Sequence, residues 1–195
     1  MTETENFSKE ESIKLINEMI GKAKKSYITK GIASMVWGII IIICSLVSWS
    51  QEYFKYNLGF DIWLLTVFAL ISQIFFSVKE ARNRNFVSYE RSPIAYSWTA
   101  FGISIFTLSL YISFHGQRGE GSSLFMILYA IPTFITGGVT KFKPMILGGI
   151  FCWVAASISI FTSVEVDLLL MASCGLFAWL IPGVILWKRY KKGGY

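Results

Sequence analysis

One histidine, four prolines and three cysteines occur in 195 residues, and long stretches of the chain carry no ionisable side chain at all. Each shortage removes a class of chemistry. His115 has no second imidazole to help it hold a metal, and Cys44, Cys152 and Cys174 show neither CxxC spacing nor a neighbouring histidine, so zinc and dithiol redox motifs are absent. Residues 31–49, 62–78, 93–114, 122–140, 144–163 and 168–187 contain no Asp, Glu, Lys, Arg or His. Proton relays, ion pathways and intramembrane proteases need ionisable groups at such depths, and these runs supply none. No catalytic, cofactor-binding or metal-ligating residue is therefore assigned, no cofactor is expected, and the chain reads as a non-enzyme.

What is present in those runs is apolar: hydrophobic residues make up 54% of the chain and charged residues 15%. Six runs of roughly 17 to 22 residues, at about 1.5 Å per residue, match a hydrocarbon core of about 30 Å. The predicted fold is all-α: a polytopic membrane protein whose six transmembrane helices form three consecutive hairpins. A soluble bundle of this size would expose helices that have almost no polar face. The first run follows thirty largely polar residues and lacks a signal-peptide pattern, so it is expected to remain as a span.

Charge sets the expected orientation. With the N-terminus inside, sixteen of the eighteen Lys and Arg residues fall on inner segments, and only Lys55 and Arg118 fall outside. Both termini are predicted to be cytoplasmic, in a bacterial inner membrane. Asp61, Glu120 and Asp167 each precede a helix that starts at the outer face, where a carboxylate suits the free amides of the first turn.

The peptide ISIFT occurs twice, at 103–107 and 158–162, each time five residues after a tryptophan, Trp98 or Trp153. Spans 4 and 6 share an Ile-Pro step, Ile131-Pro132 and Ile181-Pro182. These matches suggest parallel hairpins, with chance recurrence in an apolar chain as the alternative. Each proline would free a carbonyl four residues back, at Leu128 and Ala178, for a neighbouring Ser or Thr to satisfy. Small residues four apart mark contact ridges in lipid: Gly148, Cys152 and Ala156 on span 5, Ser34 and Gly38 on span 1. Gln73 is read as an interhelical hydrogen-bonding residue. Trp37, Trp98, Trp153 and Trp179 are expected deeper than the interfacial Trp49, Trp63 and Trp187.

Before the first span, SKEESIKLINEMIGKAKKSY opens with the capping pair Ser8 and Glu11 and carries Ile13, Ile16, Ile20, Ala23 and Tyr27 on one face. The spacing predicts an amphipathic helix over residues 9–27. Its stripe has three possible homes: the inner leaflet beside Lys22, Lys24, Lys25 and Lys30, the protein's own loops, or a partner's helix. No nucleic-acid motif is present.

ESIKLINEMIGKAKKSY leading into GIASMVWGIIIIICS, then LYAIPTFITGGVTKFKPMILGGIFCW and AWLIPGVILWKRYK, resembles a group of uncharacterised bacterial six-span integral membrane proteins. The Trp and Gly near the hairpin ends also resemble the acid-stress HdeD-type membrane proteins. These resemblances imply a multi-pass fold and no particular activity. The expected partners are membrane lipid, a cytoplasmic or membrane protein docking on residues 9–27, and a further copy of the chain. The expected role is a scaffold, sensor or regulator acting through the cytoplasmic face; a small carrier or channel for a neutral or apolar solute is the alternative.

Overall fold

The computed structural model describes residues 9–71, 91–115 and 121–191, without the side chains of residues 9–30, 91–92, 115 and 190. Every regular element among the described residues is helical. In chain order these are α1 (Lys9–Phe54), α2 (described over 64–71), α3 (Arg91–His115), α4 (Ser122–Val139), α5 (Lys143–Ser159), α6 (Val164–Cys174), a π-helical segment (Gly175–Leu180) and α7 (Ile181–Lys191). Four helical stretches are long and apolar enough to cross a membrane: Gly31–Phe54, Pro93–Phe114, Ser122–Val139 and Val164–Arg189. Helix α5 is apolar too and one residue shorter than the shortest of them.

The largely polar N-terminal segment, from Lys9, and the first apolar run form one helix. No proline interrupts residues 9–54, and the change from polar to apolar composition near Gly31 is a change of surroundings that leaves the backbone ladder intact. At its far end α1 stops at Phe54, where Lys55 adopts a left-handed conformation (φ 53°). Asp61 then accepts the amide of Trp63 at 3.0 Å and starts α2, as expected for a capping carboxylate. The Cys44 thiol donates to the Ile62 carbonyl at 3.5 Å and Trp63 Nε1 to Ser48 Oγ at 3.1 Å, tying the start of α2 to α1. Gln73 and Glu120 lie outside the described residues.

Glycine decides how closely the helices approach. A methyl group added at Gly38 would lie 2.7 Å from the backbone nitrogen of Leu180, and one at Gly183 would lie 2.8 Å from the carbonyl oxygen of Gly31. Helix α1 therefore runs backbone to backbone against the antiparallel unit α6–π–α7. The same holds for Gly148 against Ala178 and for Gly137 against Ile146, which close α5 onto the π-segment and onto α4. The predicted ridge is present: Gly148, Cys152 and Ala156 are buried, and Gly38 is buried on α1. Contacts of this kind supply the packing that holds helices together in lipid.

The π-segment keeps this seam in register. Gly31 and Gly38 are seven residues apart on α1, whereas Gly175 and Gly183, which face them, are eight apart. At about 100° per residue, seven residues return to within about 20° of the same face, while eight overshoot it by about 80°. A π-turn takes up one additional residue, cancelling that overshoot. The Ile181 amide accordingly bonds the Leu176 carbonyl, five residues back.

Outward faces are apolar. Ile32, Val36, Ile39, Ile43 and Leu46 form an exposed stripe on α1, and no residue of the apolar stretch of α3 is buried. Such surface is far more than a water-soluble monomer of this size exposes in one belt, and it suits hydrocarbon. Among the described residues helix α3 packs chiefly on α4 and stands at the rim.

The ISIFT peptides occupy unlike places. The first lies wholly within α3. The second crosses the end of α5, which stops at Ser159 and leaves Ile160 and Phe161 in a turn. Trp98 points inward, whereas Trp153 packs on Phe134 at the surface, with ring centroids 5.3 Å apart.

Candidate functional site

Two places in the structure concentrate polar groups, one buried and one at the end of the bundle. The buried one forms where Thr133, the residue after Pro132 on α4, meets Trp179 of the π-segment, three residues before Pro182. Pro132 and Pro182 are both fully buried. Trp179, the fifth residue of the π-segment, donates from Nε1 to Thr133 Oγ1 at 2.9 Å, and the Thr133 hydroxyl donates to the Tyr129 carbonyl at 2.7 Å. The Ser34 hydroxyl of α1 donates to the Trp179 carbonyl at 2.8 Å. Three helical units are thereby joined by one chain of hydrogen bonds.

The hydroxyls fall one residue beyond the carbonyls expected to lose an amide: Tyr129 and Trp179, each three residues before its proline, receive them, where Leu128 and Ala178 were expected. Aromatic rings close around the chain. Trp179 meets Tyr129 at 5.1 Å and Trp37 at 6.1 Å, both edge to face, and Trp98 at 6.1 Å; Trp98 itself donates to Thr136 Oγ1 at 3.0 Å. Edge-to-face pairs of this kind add about 0.5–1.5 kcal/mol each beyond their burial. Ile41, Tyr129, Cys152, Cys174, Gly175, Ala178 and Trp179 surround an apolar void of about 10 Å³. A single water needs at least that much room and two to four polar partners, so the void suits neither water nor a solute.

This junction holds no carboxylate, amine or imidazole. The three cysteines are buried thiols, Cys152 and Cys174 on the wall of the void, and thiols in apolar surroundings are packing groups. No group of three or more His, Cys, Asp or Glu able to hold a metal ion occurs among the described residues. The arrangement fixes helices.

The second place is the end of the bundle formed by the α4–α5 turn and the end of α7. Helix α4 closes in a Schellman motif: the Phe142 amide bonds the Gly137 carbonyl at 2.8 Å and the Lys141 amide bonds the Gly138 carbonyl at 3.2 Å. Phe142 is buried and anchors the turn. The left-handed position is held by Lys141 (φ 53°), where glycine would avoid a steric cost of about 1 kcal/mol. Lys141, Lys143, Lys188, Arg189 and Lys191 are all exposed at this end. The Lys191 ammonium lies 4.6 Å from the centroid of the Trp187 ring.

The opposite end carries the acids. Glu52, Asp61, Glu165 and Asp167 are the described carboxylates, and all four lie there. Lys55 is the one described cation with them, and it pairs with Glu52, whose carboxylate holds the ammonium above its usual range. Asp167 is buried and accepts the Thr162 hydroxyl at 2.6 Å, securing the α5–α6 turn. Sequence reasoning placed these charges on opposite sides but missed the strained lysine, whose only signal was the Gly-Gly-Val-Thr-Lys-Phe order of a helix end with lysine in the glycine position. The side chain of His115 and the N-terminal stripe fall outside the described side chains.

No family model, curated protein or solved structure matches this chain.

Proposed function

We propose that the protein is a non-enzymatic, multi-pass scaffold, sensor or regulator of a bacterial inner membrane. In this reading it has six spans in three hairpins, cytoplasmic termini and an N-terminal segment that docks a protein partner. The observation that carries it is α1. At about 1.5 Å per residue its 46 residues extend about 69 Å, more than twice the thickness of a hydrocarbon core. A helix that continues unbroken out of its span favours a partner's helix over the leaflet surface as the home of the Ile13, Ile16, Ile20, Ala23 and Tyr27 stripe, because lying on the surface requires a bend. The basic end, to which the positive-inside rule assigns the cytoplasm, is the end from which this segment extends.

A carrier for a neutral or apolar solute finds less support. The hydroxyls of Ser34 and Thr133, which would line its path, are committed to carbonyls, and the void beside them is smaller than any solute.

The test is affinity purification from native membranes of the C-terminally tagged protein beside a version lacking residues 1–27. A stoichiometric protein partner retained by the full chain and lost with the truncation is the expected result. Recovery of the full chain only as a homo-oligomer, with no other protein, would sink the proposal.

A further inference from the structure

The described charges are sorted by end more strictly than helix capping requires. Five exposed cations stand at the α4–α5 turn and the end of α7, and among the described residues none of them has an ion-pair partner. The sixth, Lys55, stands among the carboxylates and is neutralised by Glu52. Both Lys55 and Lys141 occupy left-handed helix ends. The first has its counter-charge within the protein; the second is held out on a rigid turn with none among the described side chains.

We propose that this end is a binding surface for anionic phospholipid headgroups, with Lys141 and Lys143 on one side and Lys188, Arg189 and Lys191 on the other. Charge complementarity argues for the occupant, since five cations with no ion-pair partner among the described side chains, at the edge of an apolar belt, meet anionic headgroups at the depth where that belt ends. Trp187 argues for the level. It is half-buried among the last residues of α7, the place an amphipathic ring takes at a membrane interface, and it stacks under the Lys191 ammonium. Lys141 is preorganised by the Schellman turn and the buried Phe142, so it loses less freedom on binding than a lysine on a loop would. This surface does not depend on the partner-docking role of residues 1–27.

The full chain is reconstituted in equimolar phosphatidylglycerol and phosphatidylcholine, and the lipids retained after release from the bilayer are quantified by native mass spectrometry. Phosphatidylglycerol is expected to be enriched at least about tenfold, with the enrichment falling as salt rises. Lys141→Gly should reduce it by about fivefold, and the triple variant Lys188→Gln, Arg189→Gln, Lys191→Gln should bring the two lipids close to parity. Lys55→Gln should leave it unchanged. Lys141→Gly also relieves the left-handed strain, so its thermal unfolding should not fall, and lost retention cannot then be assigned to misfolding. Equal retention of the two lipids, or equal losses from Lys55→Gln and Lys141→Gly, would overturn the proposal. Displacement by an equal concentration of inorganic phosphate would also overturn it, by identifying a soluble anion as the occupant.

Discussion

Helix α4 and the α6–π–α7 unit carry the same Ile-Pro step and resolve it differently. In α4 the helix stays α-helical and repairs itself, with Thr133, the residue after the proline, turning its hydroxyl back onto the Tyr129 carbonyl. In the other unit the backbone widens into a π-turn before Pro182, and the Trp179 carbonyl takes its hydroxyl from Ser34 on a different helix. The difference follows from what each helix must match. Helix α4 faces α5 across a tight turn and needs no shift of register, whereas the α6–π–α7 unit must bring Gly175 and Gly183 opposite Gly38 and Gly31. One proline is a local fault with a local repair; the other is built into an interface.

Single-residue deletions test this contrast most severely. Removing Ile127 from α4 should rotate everything beyond it by about 100°, taking Tyr129, Thr133 and Gly137 off the core and abolishing a cooperative thermal transition. Removing Leu176, which is equally exposed, should instead convert the π-turn to α-helix and leave the glycine seam seven residues long, with the transition retained at a lower temperature. If both deletions unfold the protein alike, the π-turn is not a register correction.

Next in size is Trp179→Ala. It removes the shared centre of both proline sites and should cost about 3–5 kcal/mol, read as a drop in the unfolding midpoint in mild detergent.

The smallest effects separate the two repairs. Thr133→Val leaves the Trp179 indole N–H without its acceptor and should cost about 1–3 kcal/mol; Ser34→Ala removes only a donor to a carbonyl and should cost about 1 kcal/mol. A double variant measures their coupling. Equal single costs that add would mean that the hydrogen bonds do not act as one chain.

Much of the packing was legible because lipid-embedded helices advertise contact by residue size. The Gly148, Cys152 and Ala156 ridge and the approach of α1 at Gly38 both follow from spacing alone. The Ile-Pro steps were visible for the same reason, since a missing amide is a property of the residue. Which carbonyl received the hydroxyl was not legible, because it depends on where Ser34 lies on another helix and on a π-turn that has no residue signature of its own. Helix boundaries drifted too. Hydropathy marked where the surroundings change, near Gly31 and Ser163, whereas backbone bonding carries α1 through the first point and ends α5 before the second. Lys141 was counted among the inner charges, but its left-handed backbone depends on how α4 turns into α5, which composition does not encode.

The continuity of α1 also has a mechanical side. With no proline between the seam at Gly31 and the first turn at Lys9, the helix runs on for about 33 Å beyond its contact with Gly183. Over an arm of that length a tilt of about 5° at the seam would sweep the Lys9 end through about 3 Å.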